Sequence, residues 1–168
     1  MASAMDVADA IIIVANKMKK PVSNLMLQKV MYFLNALSLV NRGKPLIDDG
    51  QHFEKWTYGP VIHSVYTEYS FNGANPISAP VNHQIVELDN QGFFKINNAK
   101  FNMVNFKKIY KTDYKFIINN INIFLNFPSS FLVKKSHEEP QWIDRTNLNY
   151  DDGLTKNYYS NFSNQFWS

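Results

Sequence analysis

The sequence predicts a mainly α fold carrying one small antiparallel β-hairpin. Two observations lead there. Apolar residues recur at helical spacing through most of the chain, and one short stretch pairs two β-rich tetrads around a glycine turn. The 168 residues and the absence of a repeat or a long linker suggest a single domain over 1–168. A hydrophobic fraction of 45% and an aromatic fraction of 15% supply a real core.

The opening "MASAM" is set aside. From Asp6, the residues Val7, Ile11, Val14, Ala15 and Met18 mark one face of a first helix. Asp6 suits its N-cap or first turn, and Pro21 is expected to stop it. Ser23 or Asn24 caps a second helix with a stripe of Leu27, Val30, Met31, Leu34 and Leu37. Tyr32 and Phe33 widen that stripe, so this helix should be central. Gly43 fits its left-handed C-terminal position, with Pro45 following. "HFEKW" alternates and reads as a short extended segment. Gly59-Pro60 then turns the chain, with Pro60 expected at the first position of a third helix. Ile62, Val65, Tyr66 and Tyr69 form the face of that helix, and Gly73 closes it.

"IVEL-DNQG-FFKI" gives the hairpin. A helix capped by Thr112 or Asp113 buries Ile117, Ile121, Phe124 and Leu125. "PSSFLVKKSHEEP" is a short helix capped by Ser129 or Ser130 and ended before Pro140. Leu154, Tyr158, Phe162 and Phe166 fall one turn apart and predict a last amphipathic helix.

Cysteine is absent, which removes disulfides, thiolate chemistry and Cys-ligated zinc. There is no basic-then-apolar leader and no run near the length of a membrane span, so the expectation is a cytoplasmic protein without membrane contact. Net charge is +3 with a pI of about 9.0. The lysines are scattered, however, and the only arginines are Arg42 and Arg145, so nucleic acid is a weak expectation. His52, His63, His137, Glu138 and Glu139 lack the i, i+4 histidine pair of a metalloprotease helix. A metal hydrolase would need His63 and His137 to meet from distant segments. No nucleophile triad or phosphate-binding glycine loop is visible, so no catalytic residue, metal or cofactor is expected. Trp56, Tyr58, Tyr66 and Tyr69 are amphipathic and fit either a core or an interface.

The stretch "VSNLMLQKVMYFLNALSLVNRGKPLIDDGQHFEKWTYGPVIHSVYTEYSFNGANPI" resembles the Panacea domain family, the SocA-like, phage-associated antitoxin domain. The likeness is carried by Asn24, Leu27, Gln28, Lys29, Tyr32, Gly43, Pro45, Leu46, Trp56, Tyr58, Gly59, Pro60, Val61, Val65, Tyr66, Gly73 and Ile77. It resumes at "SHEEPQW" with His137 and Trp142. The chain departs from the pattern at Met31, at Lys55, at Gln141 between Pro140 and Trp142, and in the hairpin.

The resemblance implies a non-enzymatic bacterial antitoxin of a toxin–antitoxin system. It would neutralise a cognate protein toxin by direct binding, or as the SocA branch does, deliver one to the ClpXP protease. A nucleic-acid-binding regulator is the alternative from another class. The oligomeric state is left open. The aromatic residues expected to reach a partner are Trp56, Tyr66 and Tyr69 around the "WTYGPV" corner, with Phe93 and Phe94 on the hairpin.

Overall fold

The structure, a computed structural model, describes residues 2–168, the side chains at positions 84–87 excepted. Its elements in order are α1 (Ala4–Lys17), α2 (Asn24–Arg42), β1 (Glu54–Trp56), β2 (Gly59–Val61), α3 (His63–Tyr69), β3 (Asn82–Leu88), β4 (Phe94–Lys100), α4 (Met103–Ile109), α5 (Lys111–Leu125), α6 (Ser129–His137), α7 (Pro140–Ile143) and α8 (Asp152–Ser160). The fold is mainly α with two small antiparallel strand pairs.

α2 is the centre. Its expected stripe is buried, but so are Gln28, Lys29, Tyr32, Phe33, Asn35 and Ser38, which covers the helix on every side. α1, α3, α5, α6, α8 and β2 all pack on it. Ser23 caps it, accepting a hydrogen bond from the Met26 amide at 3.3 Å, and Gly43 ends it at φ 72°. Phe33 anchors an aromatic cluster: its ring stacks on Phe124 at 5.8 Å and meets Phe166 edge-on at 5.0 Å.

Several boundaries differ from expectation. The residues set aside at the start belong to the fold: Ala2 bridges to Ile47, and Ser3 caps α1, with Asp6 as the acid of its first turn. That helix ends at Lys17, before Pro21, through Lys19 at φ 57°. Pro60 does not open a helix. It sits in β2, pairing with Lys55, and α3 begins at His63 after Ile62. Proline tolerates this edge position because it has no N–H to lose.

The second hairpin exceeds the expected tetrads, pairing Asn82 with Lys100 at one end and Leu88 with Phe94 at the other. The side chains of its expected Ile85, Val86 and Glu87 lie outside the described residues. α4 was not foreseen; Asn102 caps it, and α5 follows directly from Tyr110 in place of a Thr112 or Asp113 cap. Pro128 precedes α6 without a side-chain cap, so neither Ser129 nor Ser130 plays that part.

The last helix turns the other way round. Thr155 and Tyr159 are its buried residues, while Leu154 and Phe162 are exposed. Phe162 falls in a short 3₁₀ turn beyond the helix, and Phe166 reaches the aromatic cluster from the tail. The helical period is therefore broken after Ser160, and spacing alone put the wrong side inward.

Candidate functional site

The "WTYGPV" corner is a two-residue turn between β1 and β2, with Trp56 paired to Gly59. Gly59 has φ 87°, a conformation that side-chain-bearing residues avoid. It also lies against α6: a Cβ there would overlap Ser136 Oγ and stand 3.3 Å from Ser136 Cβ and 3.4 Å from Lys29 Cε. Backbone shape and close approach thus both require glycine.

The polar residues of α2 hold the segment that leaves this corner. Lys29 Nζ donates to the Pro60 carbonyl at 2.8 Å. Gln28 Oε1 accepts from the Ile62 amide at 2.9 Å. Asn24 Nδ2 donates to the Tyr66 carbonyl at 2.9 Å. The three side chains follow the chain from β2 into α3, satisfying backbone groups that would otherwise be buried without partners. Burial lowers Lys29 to about 7.

One turn further along α2, the Tyr32 hydroxyl donates to Glu139, 2.7 Å from Oε1 and 2.6 Å from Oε2. The Tyr159 hydroxyl donates to Oε1 at 2.8 Å, and Gln141 Nε2 to Oε2 at 2.8 Å. Glu139 is fully buried. Burial raises its carboxyl to about 7, against the opposing pull of hydrogen bonds from Tyr32, Gln141 and Tyr159. Gln141, an addition to the family pattern, also bonds Thr155 Oγ1 and accepts from the Asp151 amide. Lys55, another departure, donates to the Asp144 carbonyl at 2.9 Å. Both of these departures therefore have partners of their own.

His137 stacks on Trp142, ring centroids 3.7 Å apart, and its Nε2 is buried without a hydrogen-bond partner. Burial first, then the nearby Lys29, hold it below its ordinary value, although the Thr57 backbone acts in the opposite sense. Trp142 Nε1 in turn donates to the Trp56 carbonyl at 3.4 Å, so "SHEEPQW" closes the corner from the far side. His63 lies elsewhere, edge-on to Trp56 and 3.7 Å from Glu54. No group of three or more metal-ligating side chains converges among the described residues.

The five aromatic residues expected at a partner surface do not share one environment. Trp56 is half-buried, packs on Tyr66 at 4.9 Å and donates from Nε1 to Glu54. Tyr66 is exposed beside it, and Tyr58 at the turn is 65% exposed. Phe93 and Phe94 are 67% and 79% exposed. Tyr69 is a correction: it is fully buried, and its hydroxyl donates to the buried Asp9. Asp9 also bonds His83 Nε2 at 2.7 Å, and burial raises its carboxyl despite both contacts. The i, i+7 spacing from Ile62 put Tyr69 on the inner face; its phenol was misread as a surface handle when it answers a buried acid.

Two of the apolar surfaces among the described residues carry the expected aromatic side chains. One is a groove of about 720 Å³ between the turn and α2, bordered by Leu25, Trp56, Tyr58, Val61, Tyr66 and Arg145. The other is a face of the β3–β4 hairpin, where Leu88 lies opposite Phe94 and Ile96 is two residues along, all exposed. Neither Arg145 nor Leu88 was singled out from sequence, since a lone arginine and a hairpin leucine carry no motif.

Residues 27–143 match a family model described as antitoxin SocA-like, Panacea domain. The antitoxin SocA of Caulobacter vibrioides (strain NA1000 / CB15N) is 47% identical over 53 residues, covering 32% of this chain and 27% of that protein. The chain thus matches about a quarter of the length of this curated relative. No solved structure matches. No single helix among the described residues is long and apolar enough to cross a membrane. With the family model matching well over half of its length, the chain belongs to the SocA-like Panacea domain family.

Proposed function

We propose that this protein is an antitoxin that neutralises a cognate protein toxin by direct binding, without catalysis. The observation that carries the reading is family membership combined with two exposed aromatic surfaces on a well-packed domain. Contiguous apolar area left open on a folded domain marks a contact surface. Trp56 and Tyr66 at the corner, with Phe93 and Phe94 on the hairpin, are the proposed anchors. Trp and Tyr dominate binding energy in protein interfaces because they bury much area at little entropic cost.

Co-expression with the products of the adjacent genes, as candidate toxins, tests this reading. Growth should be restored while the toxin's level stays constant, and the two proteins should purify as one complex. Rescue that needs ClpXP and proceeds by loss of the toxin would point instead to proteolytic delivery. Failure of this protein to relieve the toxicity of any adjacent gene's product would contradict the antitoxin reading itself.

A further inference from the structure

The groove beside the Trp56–Gly59 turn has a chemistry of its own. Its walls are the rings of Trp56, Tyr58 and Tyr66 with the side chains of Leu25 and Val61; no acidic residue is among the described lining residues, and the Glu54 carboxylate accepts from the Trp56 indole N–H. Its charged groups are Lys55 and Arg145. Lys55 is committed, since its ammonium donates to the Asp144 carbonyl and is largely buried. Arg145 is held but not neutralised. Its guanidinium lies 4.7 Å over the Trp142 ring, and Nη1 donates to the Lys55 carbonyl at 3.3 Å. No acidic side chain pairs with it among the described residues, and the residue is exposed. A stacked guanidinium keeps its planar fork in one orientation, which suits two parallel hydrogen bonds to a carboxylate.

We propose that this groove binds an extended segment of a partner protein, presenting a carboxylate side chain to Arg145 and an adjacent apolar or aromatic side chain to Trp56 and Tyr66. The proposal rests on the partner-binding reading of this face and specifies what the face recognises. The volume falls in the range of built ligand sites. Trp, Tyr and Arg together are the residue types that dominate interface energies. Nucleic acid fits poorly, because its affinity grows with the number of phosphates neutralised and the groove offers one exposed cation without an acidic partner among the described residues.

The test uses the full-length protein and two acetylated, amidated peptides, Gly-Ser-Phe-Asp-Leu-Gly-Ser and its counterpart with Lys in place of Asp. Titration to millimolar concentration is followed by NMR. The Asp peptide should shift the Trp56 indole, the Arg145 Nε–H and the Tyr66 amide, with at least about fivefold weaker binding of the Lys peptide, a margin well within the discrimination of one close charge pair. Arg145→Glu should reverse that preference while signals far from the groove keep their positions. Equal binding of both peptides to the wild-type protein would overturn the proposal, and that comparison needs no variant. So would shifts confined to other surfaces, an unchanged preference in the variant, or tighter binding of GMP than of the Asp peptide at the same signals. These titrations contain no toxin. Their failure leaves co-expression rescue standing, and a failure of rescue leaves the peptide result standing.

Discussion

Lys29 Nζ donates to the Pro60 carbonyl at 2.8 Å inside the protein, joining the central helix to the corner between β1 and β2. Burial lowers this lysine from 10.5 to about 7. The unfolded chain keeps its proton up to about 10.5, so between these values the unfolded state binds more protons and stability rises with pH. Lys29→Met removes that rise, which can amount to about 1.4 kcal/mol per pH unit. It also leaves the Pro60 carbonyl without its donor, at a cost of about 1–3 kcal/mol. Urea titrations of both proteins at pH 7 and pH 9.5 read the two effects; identical pH dependence would remove the buried lysine from the account.

Glu139 has the opposite sign. Its carboxyl is raised from 4.5 to about 7, so between those values the folded state binds more protons than the unfolded. The stabilisation is present at low pH and is lost as pH rises through 7. Glu139→Gln lacks this loss and should gain stability relative to the wild type from pH 4.5 to pH 7. Glu139→Ala strands the Tyr159 hydroxyl, leaves the Tyr32 hydroxyl only its contact with Thr155 Oγ1 at 3.2 Å, and should cost at least about 2 kcal/mol. Chemical denaturation across that range checks both; a Gln variant tracking the wild type would show that Glu139 titrates normally.

Gly59→Ala should destabilise the domain by about 1–3 kcal/mol, because the residue sits at φ 87° and its Cβ would overlap Ser136 Oγ. Ser136→Ala removes that oxygen and should recover part of the loss, though Ser136 Cβ still stands 3.3 Å from the added atom. Thermal melts of the two single variants and the double variant measure the recovery. Additive losses would mean that backbone conformation alone sets the requirement.

The sequence made the helical frame legible wherever a stripe and a cap coincided. Ser23, the stripe through Leu37 and Gly43 on α2 are of this kind. It was least legible where polar residues are buried. Asp9, Lys29 and Glu139 look like surface charges in a one-dimensional pattern, and only their partners from distant segments reveal them as interior groups. Tyr69 failed for the same reason, since its partner Asp9 lies 60 residues away. Lys29 was found by resemblance, but its bond to Pro60 was not, because spacing carries no information about which carbonyl a side chain meets. The hairpin's register was only partly legible, since β-rich tetrads mark its tip and the polar residues near its base do not.

The direct test of neutralisation by contact is the affinity of the purified protein for its cognate toxin, measured by calorimetry for the wild type and for Tyr66→Ala combined with Phe94→Ala. Both side chains are exposed, so the double variant should melt close to the wild type. If they are anchors worth about 2 kcal/mol or more each and act independently, the dissociation constant rises by about 800-fold or more and growth rescue is lost. A folded double variant that binds the toxin with unchanged affinity and still protects cells would contradict the account.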